Sequence, residues 1–539
     1  MWHVHQATDL LLRSGRIVDG TGQPGYVADL AIGNGKILAI GKNLTMRAAK
    51  ELDARDHVIS PGFIDMLSWA CGPILYDGAV PSVVSQGITT VIFGEGWSMG
   101  PVNEHVRSEM KNWWPEYEID YTWETLVGYL RHVEQQGTAV NIGSFVGATM
   151  VRIHELGFEN RAPHPAELKK MQELVRREMK AGAFGVASSL VYTPAFYAGT
   201  EELIALSRIA AEYGGIYASH IRGEGSDLLT ALQELITISE QAGIPAEIYH
   251  FKAAGKENWS KLQLAIEMIQ GARARDLDIT ADIYPYTAGA APLNAMIPPW
   301  AKEGGDQAML KRLRHTETQA RIRREMLQRY EGWDNFYWMA GGGAGILISY
   351  LSADHQHYQG KTIAQIAQAM GKDEITAVFD LLESENGGGG GIYFLMSEEN
   401  IRTKMSLPWV TFCTDEHAYR PQGLMGQRNP HPRAYGTFPR ILGRYVREEQ
   451  VLSLEEAIRR MSGLAAQRLG ITDRGLLREG MAADIVVFNP ETVIDRAEYI
   501  EPHQFSEGIE YVIVNGAVVV AEGRPTGAKP GKAIVRPRP

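Results

Sequence analysis

The stretch IYASHIRGEGSDLLTALQELITISEQAGIPAEIYHFK, residues 216–252, contains one complete repeat of the fold. It begins and ends with short apolar strands, 216–222 and 246–252, and the residues between them are amphipathic with apolar positions at helical spacing. A strand, a helix and a second strand in this order form a parallel βα unit, because two parallel strands must be joined by a long crossover.

The same alternation continues on both sides of this stretch. Helical segments such as PAELKKMQELVRREMKAG separate eight strand candidates, which are 62–65, 89–95, 139–147, 184–192, 216–222, 246–252, 278–286 and 409–416. Eight parallel βα repeats predict an α/β protein with a TIM (β/α)8 barrel. We expect the barrel at residues 61–466, with an insertion around 287–408.

The two ends of the chain have a different residue pattern from the middle. Residues 9–60 and 475–523 read as short alternating strands broken by Gly turns, as in DLAIGNGKILAIG and EYVIVNGAVVVAEG. Because both pieces are short and their patterns match, we expect residues 1–60 and 467–539 to form one small β-sandwich domain together. The barrel is then inserted into this domain.

Composition narrows the class of protein. Among 539 residues, 64 Asp and Glu stand against 53 Lys and Arg, and the net charge of -11 argues against a nucleic-acid or anionic-membrane partner. The two cysteines, Cys71 and Cys413, are far apart, which fits a reducing compartment rather than a disulfide framework. Since no apolar run approaches ~18 residues, we expect a soluble, cytoplasmic protein.

Polar side chains concentrate at the predicted strand ends, where a barrel of this kind carries its chemistry. They are Asp65, Glu95, Tyr192, His220, Arg222, His250, Lys252, Tyr284, Tyr286 and Asp415. Two imidazoles and one carboxylate, from His220, His250 and Glu95, suit Zn²⁺ and leave a fourth coordination position for water. Asp415 can accept a proton from that water and pass it to a leaving amine.

Each of these residues also has an ordinary structural explanation. A single His at a strand end is more often a hydrogen-bonded core residue, and Asp415 could cap the following helix. Their combination on neighbouring strands favours the metal site. Arg222, Lys252 and Arg433 add positive charge beside it, so we expect a small-molecule substrate with a free carboxylate.

Longer motifs resemble one known family. They are PGFID, QGITTVIFGEGWSMGP, YASHIRGEG, IYHFKAAGKENW, HPRAYGTFPRILGRYVREE, LSLEEAIRRMSGLAAQRLG and GLLREGMAADIVVF. In this order, over almost the whole chain, they are similar to the N-acyl-D-amino-acid deacylases, or D-aminoacylases, of the amidohydrolase superfamily. The resemblance implies a barrel of amidohydrolase type and zinc-dependent hydrolysis of the amide bond of N-acyl-D-amino acids or related carboxylate-bearing amides.

The resemblance also assigns roles to residues. It implies that zinc is bound by His220, His250 and Glu95, with Glu95 standing where the family has Cys. It matches Asp415 to the catalytic aspartate of strand eight, and it matches Lys252, Tyr284 and Arg433 to residues that bind the substrate carboxylate. We also expect Tyr192, Arg222 and Trp69 to contact the substrate.

Two departures from the family pattern bear on the chemistry. PGFIDxHxH reads PGFIDMLSW at residues 61–69, so Leu67 and Trp69 replace two histidines that hold a second metal, and we expect one zinc per chain. Ala290 stands where the family has a serine near the substrate.

Trp69 predicts a more apolar mouth that favours bulky apolar or aromatic substrates, unless it only fills a cavity. The sequence leaves two other functions open: a hydrolase of a different amide, cyclic amide or ester on the same scaffold, or a non-catalytic binding protein.

Overall fold

The computed structural model describes residues 8–111, 113–114 and 117–536. Within these ranges the chain forms strands numbered β1 to β21 and α-helices numbered α1 to α18 in chain order. None of the helices in these ranges has the length and apolar character needed to cross a membrane.

Strands from both ends of the chain join in one nine-stranded sheet. Antiparallel pairing of β5 with β18 joins the two ends, with Val58 opposite Phe488. Side chains from both parts, Leu12 and Ile485 among them, share one buried hydrophobic cluster. The strands are β1 Thr8–Ile17, β2 Tyr26–Gly33, β3 Lys36–Gly41, β4 Ala48–Asp53, β5 Val58–Pro61, β18 Ile485–Phe488, β19 Ile509–Val514, β20 Ala517–Ala521 and β21 Arg524–Pro525.

This sheet is the small β domain that the sequence predicts from both termini. The domain limits of 1–60 with 467–539, and of 61–466 for the barrel, stay a prediction. Residues 1–7 and 537–539 of the expected outer domain lie outside the described residues.

Parallel strands form the wall of the barrel. The first and eighth strands meet and close it, because the Met66 amide donates to the Phe412 carbonyl at 3.4 Å and, just beyond the strands, the Asp415 amide donates to the Leu67 carbonyl at 2.8 Å. The predicted α/β barrel is confirmed. Its strands are β6 Phe63–Asp65, β7 Ile88–Phe93, β8 Asn141–Ser144 continued by β9 Val146–Gly147, β10 Gly185–Ser189, β11 Ile216–His220, β12 Ala246–Ile248, β13 Ile279–Ile283 and β17 Val410–Phe412.

Several strands end earlier than the sequence predicts. β7 ends at Phe93, β12 at Ile248 and β17 at Phe412, so Glu95, His250 and Asp415 lie in the loops beyond them. The backbone explains two of these ends, since His250 has a φ of 35° and Asp415 a φ of 50°. A left-handed residue cannot continue an extended strand, and such residues often mark functional sites.

The helices bury one apolar face against the barrel. In α8 the buried positions include Leu228, Leu232, Leu235 and Ile236, and the helix ends at Gly243, whose φ of 62° permits a left-handed cap. Up to the insertion the helices are α1 Pro73–Tyr76, α2 Pro81–Val84, α3 Glu104–Met110, α4 Leu126–Gln136, α5 Ala148–Leu156, α6 Pro165–Ala181, α7 Thr200–Glu212, α8 Leu228–Ala242 and α9 Lys261–Arg273.

The long connection between β13 and β17 has its own small sheet. The strands β14 Ala288–Pro292, β16 Gly390–Phe394 and β15 Ile346–Tyr350 pair antiparallel in this order. Leu293 and Ile348 of the insertion belong to the same buried cluster as Leu67 of the barrel. The remaining helices are α10 Asp306–Arg314, α11 Thr316–Met326, α12 Phe336–Met339, α13 Ile363–Met370, α14 Glu374–Ser384, α15 Glu398–Met405, α16 Arg433–Arg440, α17 Leu454–Ile458 and α18 Leu464–Leu469.

Residues 531–536 leave the outer sheet and return to the barrel. Ala533 forms a parallel bridge with Ile142 of β8, where the Ile142 amide donates to Lys532 O at 2.9 Å and the Ile534 amide donates to Ile142 O at 2.7 Å. The Arg536 amide then donates to Gly182 O at 2.9 Å. This segment, which we call the returning tail, supplies hydrogen bonds to the barrel wall next to β8.

Candidate metal centre

Glu95, His220 and His250 meet at the ends of their strands. His220 is the last residue of β11, and Glu95 and His250 each lie two residues beyond β7 and β12. Glu95 Oε1 is 2.8 Å from His220 Nδ1 and 3.1 Å from His250 Nε2. All three side chains are buried, and their ligand atoms lie within 4.8 Å of one another.

The donor set fits a zinc ion. The Glu95 oxygen lies at hydrogen-bonding distance of an imidazole nitrogen of each histidine, and the three ligand atoms lie within 4.8 Å of one another. Zinc accepts this combination of ligands, and three protein ligands leave one coordination position open. The sequence prediction named the same three residues.

Glu224 lies on the far side of the two imidazoles. Its Oε1 is 3.1 Å from His250 Nδ1, and its Oε2 is 3.4 Å from His220 Nε2. The negative charge of a carboxylate in this position favours a proton on the outer nitrogen of each ring, which leaves the inner nitrogens free to bind a metal. Glu224 is buried, and its loop is held by Asp334, which accepts hydrogen bonds from the amides of Glu224 and Gly225 at 2.6 and 3.1 Å.

The charges of this cluster shift its proton equilibria. Burial alone would raise the pKa of the Glu95 carboxyl, but hydrogen bonds from both imidazoles outweigh burial and lower it. Burial alone would lower the pKa of His220, yet the carboxylates of Glu224 and Glu95 raise it to about 9. The pKa of Glu224 is lowered despite its burial, chiefly by the charge of Lys252.

Trp69 contacts the candidate metal centre through the N–H group of its indole ring. Its indole Nε1 donates a hydrogen bond of 2.8 Å to Glu95 Oε2. The sequence predicts that Trp69 makes the mouth of the site more apolar. The structure shows, in addition, this polar contact with Glu95. Leu67 is fully buried in the hydrophobic cluster of the barrel interior and offers no ligand atom.

Asp415 is held by a buried cation. Arg433 Nη1 is 2.7 Å from Asp415 Oδ2, and Arg433 Nε is 3.4 Å from Glu416 Oε2. Burial raises the pKa of Asp415, and the negative charge of Glu95 adds to the rise, while Arg433 and His250 oppose it. A buried carboxyl with a raised pKa is suited to accept and return a proton near neutral pH.

Lys252 and Tyr284 lie next to these charged groups. Lys252 Nζ is 2.6 Å from Glu224 Oε1 and 2.7 Å from His250 Nδ1. The Tyr284 ring lies between two cations, 5.7 Å from Lys252 Nζ and 4.4 Å from the Arg433 guanidinium. Each cation is therefore already paired with a carboxylate of the protein.

Arg222 is paired with other groups of the protein, and its predicted contact with the substrate stays a prediction. Its guanidinium binds Glu234 at 2.8 Å through Nε and the carbonyls of Phe196 and Ala198 at 2.8 Å through Nη1 and Nη2. These groups fix the loop after β10 to helix α8, and the Arg222 charge is paired with that of Glu234. Tyr192 does lie beside them, with its ring 5.4 Å from that of His220.

The sequence patterns did not identify Glu224 as a site residue, although it lies in one of the family motifs. The available signal was a carboxylate four residues after a strand-end histidine, in the YASHIRGEG motif. Ala290, the replacement for the family serine, lies in β14 of the insertion, where it pairs with Ile392.

A barrel whose strand ends hold a buried centre of two histidines and one carboxylate defines a class of metal-dependent hydrolases. The chain belongs to the amidohydrolase family, whose model matches residues 50–520. It is 31% identical to the D-aminoacylase of Alcaligenes xylosoxydans xylosoxydans over 532 residues, which are 98% of each chain. The predicted N-acyl-D-amino-acid deacylase family is therefore confirmed.

Two solved structures extend the likeness to three dimensions. The N-acyl-D-glutamate deacylase from Bordetella bronchiseptica, complexed with zinc and a phosphonate mimic of the tetrahedral intermediate, has 30% identity and a TM-score of 0.81, covering 98% of this chain and 100% of that one. A D-aminoacylase structure has 28% identity, the same TM-score and the same coverage. That D-aminoacylase has a binuclear metal centre, with one-metal activation and second-metal attenuation.

Proposed function

We propose that this chain is a zinc-dependent hydrolase of N-acyl-D-amino acids or related carboxylate-bearing amides. It releases a carboxylic acid and a free amino acid, and it uses one zinc per chain. The observation that carries the proposal is the convergence of Glu95, His220 and His250 within 4.8 Å beside the buried Asp415. The 31% identity to a D-aminoacylase over 98% of the chain supports the substrate class.

Glu95, His220 and His250 would hold the zinc. When bound there, zinc supplies a Lewis acid for the amide carbonyl and lowers the pKa of a water molecule in the open coordination position. Leu67 and Trp69 carry no group that ligates zinc in place of the family histidines, which supports a single metal.

Asp415 moves the proton. Its Oδ2 is fixed by Arg433 at 2.7 Å, so we assign the proton transfer to Oδ1. The carboxylate accepts a proton from the attacking water and returns it to the nitrogen of the leaving amine, which completes the addition of water across the amide bond. The proton count is balanced, because Asp415 ends in the ionisation state in which it began.

The substrate carboxylate binds near Arg433, Lys252 and Tyr284. Arg433 has five N–H donors, and its Nη1 and Nε face Asp415 and Glu416, so further donors serve the substrate. At Lys252 the substrate carboxylate shares the ammonium with Glu224. Tyr192 contributes a ring beside His220.

We also propose that the protein acts in the cytoplasm. Cys71 and Cys413 are both free and buried, as expected for a chain that folds in a reducing compartment.

Metal content and turnover test the proposed function together. We expect about one zinc per wild-type chain by plasma mass spectrometry and loss of that zinc in His220→Ala. Asp415→Asn should keep the zinc and lose about 10²–10⁴-fold in kcat on N-acetyl-D-amino acids, because only the proton carrier is removed. N-acetyl-L-amino acids serve as the matched substrate control, and N-acetyl-D-methionine against N-acetyl-D-aspartate tests the predicted apolar preference.

Three results would contradict the proposal. Two metals per chain would refute the single-metal centre. Absence of zinc from wild-type protein would favour a non-catalytic binding protein. Zinc without turnover of any N-acyl-amino acid would point to a different amide, cyclic amide or ester.

A further inference from the structure

The two oxygens of the Glu95 carboxylate have different surroundings. Oε1 faces the imidazoles of His220 and His250, at 2.8 and 3.1 Å. Oε2 accepts the indole proton of Trp69 at 2.8 Å. One oxygen is directed to the metal position, and the other is occupied by a fixed donor.

A carboxylate needs such a donor to act as a defined ligand. It has two equivalent oxygens and a broad terminal torsion, so it can bind a metal through either oxygen or through both. Glu95 is also flanked by two glycines, Gly94 with a φ of 105° and Gly96 with a φ of 71°, and a Cβ at Gly96 would come within 2.7 Å of the Ser189 amide. The tight loop fixes the backbone of Glu95, while the long side chain keeps its torsions.

Trp69 is itself held in place on both sides. Its amide donates to Glu416 O at 2.9 Å, and its carbonyl lies 2.9 Å from His417 Nδ1. The rings of Trp69 and His417 are 6.1 Å apart and tilted, and Trp114 meets His417 from another direction at 6.1 Å. The indole N–H is therefore a preorganised donor, because its backbone and its ring are both fixed before a metal arrives.

We propose that Trp69 is a positioning residue that holds Oε2 of Glu95, so that Glu95 binds zinc through Oε1 alone. This inference rests on the proposed zinc centre. An indole nitrogen can only donate, so it stabilises the carboxylate without competing for the metal. Because Oε2 accepts the indole proton, one of its two lone-pair positions is taken, which disfavours a bridge to a second metal and supplies a physical reason for one zinc per chain.

The first test removes the donor and keeps an aromatic ring. Trp69→Phe should weaken zinc binding about 10–100-fold in competition with a chromophoric chelator, the loss typical when a group that orients a metal ligand is removed. Trp113→Phe is the matched control. Trp113 packs edge-on against Trp97 and Trp114, with ring centroids 5.2 and 5.7 Å apart, and it should bind zinc as the wild type does.

The second test separates positioning from packing. A cysteine thiolate has one ligand atom and gains nothing from a donor that selects between two oxygens. In a Glu95→Cys background, Trp69→Phe should therefore change zinc affinity by less than about threefold, whereas in the Glu95 background the change is about 10–100-fold. The visible spectrum of the Co²⁺-loaded forms should change with Trp69→Phe in the Glu95 background only.

The outcomes distinguish this inference from the proposed function. Zinc in the wild type with unchanged affinity in Trp69→Phe would overturn the positioning role and leave the hydrolase intact. Equal weakening by Trp69→Phe in both backgrounds would also overturn it, because the ring would then act through packing. Absence of zinc from the wild type would overturn both.

Discussion

Glu224→Gln is the substitution that tests most sharply how the protein prepares its histidines for a metal. Glu224 reaches His250 Nδ1 with Oε1 at 3.1 Å and His220 Nε2 with Oε2 at 3.4 Å. Glutamine keeps the size of the side chain, removes its charge and offers one oxygen acceptor instead of two.

Two effects of this change on zinc affinity have opposite signs. The pKa of His220 is about 9, held there against burial by Glu224 and Glu95, so zinc must displace a proton from His220 at neutral pH. At pH 7 this competition weakens binding about 100-fold, tenfold for each pH unit below the pKa. Glu224→Gln lowers the pKa of His220 and relieves that penalty. It also removes the negative charge that favours a proton on the outer nitrogen of each ring, which costs about 10–100-fold.

The two effects predict a pH-dependent result. At pH 7 they nearly cancel, and we expect zinc affinity to change less than about tenfold. At pH 9 the proton penalty is almost gone in the wild type, so the variant should bind zinc about 10–100-fold more weakly. Competition titrations at both pH values measure the affinity. Calorimetry at pH 7.5 in buffers with different ionisation enthalpies should show fewer protons released by the variant.

Glu416→Gln provides the control. Glu416 is another buried carboxylate, but it faces Arg433 and the His417 amide rather than a metal-binding imidazole. Its removal should leave zinc-linked proton release unchanged. Equal affinity of Glu224→Gln and wild type at pH 9, or equal weakening at pH 7 and pH 9, would refute the reasoning.

Two further predictions concern stability. Burial lowers the pKa of His417 to about 3 from an ordinary 6.5, so the stability it contributes is complete above pH 6.5 and is lost as the pH falls, by at most about 1.4 kcal/mol per pH unit. Urea unfolding of His417→Gln between pH 6.5 and 4.5 should show a flatter fall than wild type, and an unchanged slope would contradict the assignment. Ile534→Ala in the returning tail should cost about 2–4 kcal/mol, since Ile534 is 9% exposed, while Val535→Ala, 43% exposed, should cost less than about 0.5 kcal/mol. Equal effects of the two would show that the tail does not pack as described.

The barrel and the cluster of candidate metal ligands were predictable from local patterns. Alternating strands and helices fix the order of the repeats, and parallel strands bring their C-terminal ends to one side. His220 ends β11, so its position followed from the strand alone. Glu95 and His250 fall two residues outside their strands, yet they were still found, because the predicted strands, 89–95 and 246–252, were long enough to include them.

The contacts made by loops were not predictable in the same way. Arg222 stands two residues after β11, like His250 after β12, but its loop turns toward Glu234 on α8. Glu224 lies two residues further along that loop and returns to the imidazoles because Asp334 of the insertion holds its amide at 2.6 Å. A partner more than a hundred residues away sets the direction of this loop, and no local periodicity records it.

The returning tail is synthesised long after the part of the barrel wall to which it donates and from which it accepts hydrogen bonds. The amide and carbonyl of Ile142 find their partners in Lys532 and Ile534, about 390 residues further along the chain. A ribosome that adds about 5–20 residues per second delivers those partners roughly 20–80 s after Ile142. During that interval the wall beside β8 has an unpaired edge, which is a site for association with other nascent chains. We therefore expect the synthesis of residues 531–536 to end the exposure of this edge to aggregation.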